Sequence, residues 1–536
     1  MRLQFCLLAL LVASSIQAQS YSFNKKVTAT PRSLTGRFGF RVAVDSNFAA
    51  ISQITDLHRS SDTSLRVPAG SISMYEWNKL ESEWRFTQKL EADSVVDLNF
   101  FGWSIDIYDN IMLVGTVGER LNPYQANEKR SVGAVYVFRR EDNGEWVQLQ
   151  KLWHYERDEA QNFGDIVKLN GRDALIYSER YRGTTAWEDK VDHYRLNEND
   201  TLVHVGTLKT PDNVSNNYFI GNIELSHNQA FVSGLYRRDT NSRSVVDVYR
   251  LNEELEFDHK QTIESPSDTP NYVNDNMNMV LNDQFGYEIE ANDENLIISA
   301  PRHREGQERT GAVYYYRLNS SESWWLAQTI YPEIPEYSAE FGNQITMHDN
   351  KLLVSAPFQI LAANDSIADS LDDAGRIFYY QLDRYKQWTL QQNFVHVRPQ
   401  EAERFGTYMD VFGEHLVIGA PFDFEDENEE NTLSLSGSAY FYRDPIEECP
   451  QDLEIFAYPN PNYGDFTVCT SDSIGIMDLH LYNTLGQEVP LYYEYRNKCV
   501  LAVIDSYHYA SGIYILKAFT GYQYGSVKIK IQRREE

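Results

Sequence analysis

The dipeptide Phe-Gly returns along most of the chain at nearly even spacing, at Phe38-Gly39, Phe101-Gly102, Phe163-Gly164, Phe285-Gly286, Phe341-Gly342 and Phe405-Gly406. Phe38 and Phe405 lie 367 residues apart over six intervals, about 61 each, and a degraded copy, Tyr218-Phe219-Ile220-Gly221, fills the one large gap. A period this regular belongs to repeated supersecondary units rather than to independent domains.

The unit is clearest over residues 284–330. Phe285-Gly286 is followed by Leu296-Ile297-Ile298-Ser299-Ala300-Pro301, then Gly311-Ala312-Val313-Tyr314-Tyr315-Tyr316, then Trp324-Trp325-Leu326-Ala327-Gln328-Thr329-Ile330. Short runs rich in β-branched and aromatic residues, separated by Asn, Asp, Gly or Ser, make a four-strand meander. Fourth strands carry Trp and Gln, as at Trp146 and Trp388. A Gly at a strand start suits close backbone approach near a crowded axis, and Phe can wedge between neighbouring sheets. The last copy stops after Ser438-Ala439-Tyr440-Phe441-Tyr442-Arg443 with no fourth strand, whereas the first is preceded by a spare strand-like run, Tyr21-Ser22-Phe23-Asn24-Lys25-Lys26-Val27-Thr28. If that run completes the last sheet, the ring closes without exposed edges. The predicted fold is therefore all-β: a seven-bladed β-propeller closed by its N- and C-terminal strands. An open β-solenoid leaves the complementary ends unexplained.

The Phe-Gly, Leu-Val-Ser-Ala-Pro and Gly-Ala-Val-Tyr pattern resembles the FG-GAP repeats of bacterial surface proteins, related to the integrin α-like propeller, over roughly residues 21–444. Propellers host many activities, so the resemblance speaks to fold more than function. Beyond a linker at 445–452, residues 453–536 read as a small β-sandwich. Its Tyr458-Pro459-Asn460-Pro461, Leu485-Gly486-Gln487-Glu488-Val489 and Ser511-Gly512-Ile513-Tyr514 elements resemble the C-terminal sorting domain, type A, of the type IX (Por) secretion system of Bacteroidota. That resemblance implies Sec export, then passage across the outer membrane with this domain as the address and the secretion machinery as partner. The expected location is secreted or extracellular, or attached to the outer-membrane surface.

The N-terminus agrees with export. Residues 1–18 have a short basic start, an apolar run and small residues before Gln19, which reads as a signal peptide cut between Ala18 and Gln19. No later run is long and apolar enough for a transmembrane segment. After signal removal the cysteines are Cys449, Cys469 and Cys499. Cys469 and Cys499 sit in strand-like runs that suit a disulfide, while sequence leaves the connectivity open. The formal charge of -30 argues against nucleic acid or an anionic membrane as partner.

Chemistry is harder to find. Integrin-type repeats often hold calcium in an Asp-x-Asp-x-Asp-Gly-like loop, but the equivalent turns here, such as Asp45-Ser46-Asn47 and Asp349-Asn350, lack alternating carboxylates. They read as hairpin turns, and no cofactor is expected. The long loops between second and third strands carry a run of arginines: Arg120, Arg130, Arg180, Arg182, Arg237, Arg238, Arg302 and Arg304. Such an arc offers paired donors to carboxylates or sulfates; the competing reading is pairing with neighbouring Glu and Asp. His58, His303 and Tyr181 lie in the same loops and read as surface residues. No nucleophile elbow, zinc-protease helix or phosphate loop is present. The expected function is a binding or adhesion propeller at or beyond the cell surface, for an acidic polysaccharide, another extracellular glycan or a surface protein. A polysaccharide lyase or hydrolase and a structural part of a surface layer or matrix are the alternatives.

Overall fold

The computed structural model describes residues 21–532 except 60–65, 80, 94–97, 120–131, 156–161, 183–185, 212–218, 239–240, 268–271, 274–279, 282, 306–307, 364–365, 397, 429–430, 445–454, 461–462, 464, 471–477, 484–487, 497–498, 505–509 and 520–523. The expected signal cleavage at Ala18 and Gln19, and the whole linker with Cys449, lie outside the described residues. The chain divides into two compact units, Met1–Asp444 and Pro445–Glu536.

Seven four-stranded antiparallel sheets, with four short two-stranded hairpins between strands or blades, are described in the first unit. Their innermost strands begin near each Phe-Gly and touch in sequence order, the last meeting the first, so the blades form a closed ring. The closing sheet is Ser22–Val27, Ser438–Arg443, His415–Ala420 and Tyr408–Phe412. The N-terminal strand supplies the edge that the seventh copy lacks, as its sequence suggested. Lys26 is carried inward by this pairing, and its ammonium meets Asp423 at 2.9 Å with both side chains almost wholly buried. Tyr440 donates to the same carboxylate at 2.6 Å.

The repeat motifs turn out to be the joints between blades. Each described Phe of a Phe-Gly pair is buried, and the Gly that opens a third strand lies against the backbone of the next blade's Phe. At Gly311 an added Cβ would stand 2.2 Å from the Phe341 carbonyl oxygen, and φ is +88°. A side chain is excluded there twice over, by contact and by the left-handed backbone. Gly437 makes the same approach to Phe38 and so helps close the ring.

The Trp and Gln of the fourth strands form a second joint. The Gln88 side-chain amide donates to the Trp146 carbonyl at 2.9 Å and accepts from its N–H at 2.8 Å. Gln150 grips Leu202 in this way, Gln261 grips Trp324 and Gln328 grips Trp388. Each Gln satisfies an outward-facing peptide that its own sheet cannot reach. Where the N-terminal strand serves as fourth strand, Lys25 takes over and donates to the Trp84 carbonyl at 3.2 Å.

The second unit holds two four-stranded sheets, their cores meeting through Phe466, Val468, Leu481, Val500, Leu516 and Ile529. Its motifs have structural work too. Asn460 accepts from the Lys530 N–H at 2.8 Å and donates to the Lys528 carbonyl at 2.9 Å, pinning its loop to the last strand. Cys469 and Cys499 face each other across neighbouring strands and are disulfide-bonded.

Candidate functional site

Counting outward from each Phe-Gly, the first strand of a blade alternates between a side buried within the sheets and a side turned to the axis. All seven blades send residues into one axial cavity of about 370 Å³. One layer includes Arg41, Ser104, Asn222, Glu288, Gln344 and Tyr408, and the next includes Asp106, Lys168, Glu290 and Asp410. Trp103 and Tyr287 join the lining, the latter 40% exposed.

Aromatic rings cluster around Arg41. Its guanidinium lies 4.1 Å from the Tyr408 ring centre and 5.2 Å from that of Phe40. Phe40 in turn packs against Trp103, with ring centres 5.2 Å apart. The Trp103 indole N–H donates to Asp165 at 2.6 Å. Asn222 donates to the Tyr287 carbonyl at 2.8 Å and to Glu288 at 3.0 Å.

Part of the acidity is structural. Asp106 accepts the Leu169 N–H at 2.6 Å and Asp410 accepts the Val44 N–H at 2.7 Å, so a carboxylate of one blade satisfies the innermost backbone of the next. Five carboxylates nonetheless share the lining with Arg41 and Lys168, and Lys168 is already engaged by Glu224. Loss of bulk hydration therefore dominates. Burial pushes Asp106 and Glu288 up to about 7, against the pull of Lys168. Asp410 rises to about 6 for the same first reason, backbone donors opposing it. Glu290 rises well above the ordinary carboxylate range through burial and then Glu224. Burial works to discharge Lys168, but Glu224, Glu290 and Asp106 together hold its proton firmly. Among the described residues no group of three or more His, Cys, Asp or Glu is arranged to hold a metal ion.

Of the arginines expected on the long-loop face, only Arg302 and Arg304 have described side chains. Arg120 and Arg130 lie outside the described residues. Arg180, Arg182, Arg237 and Arg238 stand on strands, not loops, because in blades three and four the second strands, Asp173–Arg182 and Gln229–Arg238, continue into long hairpins. Arg304 is exposed on a short hairpin, and Arg302 is paired with Glu340 at 3.4 Å. His58 and His303 are buried, contrary to the surface placement expected of them. Burial disfavours a charged His58, but Asp56 and Glu91, each 3.2 Å away, push it up to about 9. His303 meets the Tyr314 hydroxyl at 3.1 Å.

Sequence reading missed the axial residues because a strand with alternating polar side chains looks like any half-exposed strand. The available signal was the copy-to-copy alignment: the fourth residue after each Phe-Gly is Ala43, Asp106, Lys168, Glu290, Thr346 or Asp410. An ordinary outer surface need not be that polar at one fixed point of a buried repeat.

The fold defines a β-propeller with an axial cavity, followed by a separate β-sandwich. Residues 84–138 match the FG-GAP repeat, and residues 456–532 match the secretion system C-terminal sorting domain. The chain thus carries an FG-GAP repeat within its propeller and a type IX sorting tail, which directs export by that system to the cell surface or the outside of the cell. No curated protein sequence matches the chain. Among solved structures, it is similar to a hypothetical selenium-binding protein from Sulfolobus tokodaii, at 10% identity and TM-score 0.37 over 66% of this chain and 77% of that one. It is also similar to the β-propeller domain of the Trilobed protease from Pyrococcus furiosus, described as having an open velcro topology, at 11% identity and TM-score 0.36 over 74% and 90%. No helix of the described residues is long and apolar enough to cross a membrane.

Proposed function

We propose that this is a recognition propeller, delivered to the cell surface or released, and that it binds extracellular glycan through the axial cavity. The observation that carries the reading is the convergence of aromatic faces (Trp103, Tyr287, Tyr408) and polar groups of all seven blades on one cavity of about 370 Å³. Concave sites with aromatic walls and a few placed hydrogen-bonding groups are the usual form of small-ligand sites. Aromatic faces suit the C–H faces of a sugar ring, and Asn222, Gln344 and the carboxylates suit its hydroxyls. The surplus of carboxylates over Arg41 and Lys168 selects a neutral sugar over an acidic one at this place. An acidic polysaccharide would instead have to engage the arginine-bearing hairpins, and salt-sensitive binding that tolerates axial substitutions would support that location.

A hydrolytic reading has one observation in its favour. Asp106 and Glu288 are held near 7 in the same cavity, where a carboxyl can act as general acid or base at neutral pH. The test is a glycan and matrix-protein array with the full secreted chain, followed by mass analysis of the incubated glycans. Binding of neutral glycans with intact mass supports recognition; shortened products promote the hydrolase. Binding confined to anionic glycans overturns the axial assignment.

A further inference from the structure

Among the described fourth strands, one has no side chain at all at the gripping point of this joint. In blades one, two, four and five the gripping Gln stands four residues after the aromatic residue that opens or nearly opens the fourth strand (Trp84, Trp146, Phe257, Trp324), beside the register shift in its pairing with the third: Gln88, Gln150, Gln261 and Gln328. Gln392 occupies that point in blade six, though its side-chain oxygen accepts no hydrogen bond there. In blade three the fourth strand starts at Leu202, and the equivalent residue is Gly206, paired with His193 beside the same shift. Nothing lies within 4 Å of the position a Cβ on Gly206 would take.

The peptide that Gly206 leaves ungripped is that of Phe257 in blade four. Phe257 pairs with Leu251 in the register that Trp324 keeps with Leu318, so its N–H and C=O face outward as those of Trp324 do. Between the two fourth strands lies a cleft of about 690 Å³, lined by Gly206, Leu208, Lys209, Phe257, His259 and Thr262 among others. Trp84, Trp146, Trp324 and Trp388 are buried at the corresponding point of their blades, whereas Phe257 is only half-buried. Its ring rests edge-on against His193 at 4.9 Å, and His193 is itself fixed by Asp173 at 2.8 Å.

From this we propose that the cleft between blades three and four is a binding site for the primary carboxamide of a Gln or Asn side chain presented by a polypeptide partner. The ligand would supply in trans the group that four other joints supply in cis. The chemistry selects the ligand class narrowly. A primary carboxamide offers its oxygen and one N–H along a single edge, matching the N–H and C=O that one extended residue turns the same way. A trans secondary amide, as in a peptide backbone or an N-acetylated sugar, points these groups in opposite directions and cannot bridge them. Carboxylates cannot donate to the Phe257 carbonyl. Leu208, Leu255 and the Phe257 ring would cover the methylenes of the side chain, and the cleft volume leaves room for neighbouring residues of the partner.

The test uses saturation-transfer NMR on the full chain with three capped peptides, N-acetyl-Ala-Gln-Ala-N-methylamide and its Glu and Met counterparts, and with N-acetylglucosamine. The Gln peptide is expected to give transfer at its side-chain methylenes at least about threefold above the Glu and Met peptides, and the sugar to give none through this cleft. Gly206→Gln, which restores the joint in cis, abolishes the signal and raises the melting temperature. Gly206→Met also abolishes the signal but lacks the amide, so it gives a smaller rise. Equal transfer from the three peptides, transfer that survives Gly206→Gln, or sugar transfer that Gly206→Gln removes would overturn the proposal. Equal thermal gains from Gln and Met would overturn the joint argument on which it rests.

Discussion

Replacing Lys26 with Met tests the closure of the ring through a single buried atom. The Lys26 ammonium lies 2.9 Å from Asp423, with side-chain exposures of 3% and 1%. Removing one partner of a buried pair strands the other charge, which typically costs about 3–5 kcal/mol. Asp423 would keep the Tyr440 hydroxyl and the Glu425 N–H as donors, so the lower end, about 3 kcal/mol, is expected. The pH dependence gives the sign. Burial alone would raise the Asp423 carboxyl, but Lys26 and then the hydrogen-bond donors outweigh it and hold it below the ordinary carboxylate value. In the native chain the stability from this group is therefore present above the unfolded value near pH 4 and is lost as pH falls through the depressed one. In Lys26→Met burial prevails and the carboxyl is raised, so lowering the pH relieves the penalty. Urea titrations at pH 7 and 4.5 should show a gap between native and variant that narrows in acid. Adding Asp423→Asn should recover much of the loss at pH 7. Lys25→Met, which removes a partly exposed contact with the Trp84 carbonyl, should cost about 1 kcal/mol. The reasoning fails if Lys26→Met costs no more than Lys25→Met, or if the gap is unchanged between the two pH values.

Three further outcomes follow from particular contacts. Gly311→Ala should destabilise the propeller by at least about 3 kcal/mol, from a left-handed backbone and overpacking against Phe341; Gly413→Ala, with φ +59° but open space around it, should cost only about 1 kcal/mol in the same denaturation assay. Asp106, Glu288 and Asp410 are raised in the folded state, so their share of stability is greatest below the unfolded carboxylate value near 4 and is lost as pH rises toward 7; Asp410→Asn should remove a part of that loss on the order of 2 kcal/mol, seen as a flatter stability-pH curve than the native chain gives. Reducing the Cys469–Cys499 bond, which spans 30 residues, should lower the stability of the C-terminal unit by about 3–4 kcal/mol while leaving the propeller's unfolding transition unmoved.

The ring was legible because its joints are made by residues with few substitutes. Only Gly fits where Gly311 meets Phe341, and only a strand missing from one end can complete the sheet at Ser438–Arg443. Those constraints print a period into the sequence. The Trp and Gln of the fourth strands were visible as a pattern, but their meaning needed coordinates: Gln88 and Trp146 are 58 residues apart, and nothing local says that a side-chain amide reaches across to a peptide. The axial cavity was hidden for a related reason. Asp106, Glu290 and Asp410 each look like the polar face of a short strand, and only the sevenfold arrangement turns those faces toward one another. The strand placement of some arginines was hidden in the opposite direction. Arg180 and Arg237 are close in composition to a loop cluster, yet unbroken hairpin pairing draws them into strands.

Glycan recognition at the axial cavity can be read by titrating the full secreted chain, native and with Tyr287→Ala, against the neutral glycans it retains on an array. Tyr287 stands at the cavity with 40% of its surface exposed, so its loss should leave the fold intact and weaken binding about tenfold or more, the loss of roughly 1–2 kcal/mol of aromatic contact. Undiminished affinity in the variant, with glycan still bound, would place recognition elsewhere on the propeller and rule out the axial cavity as the glycan site.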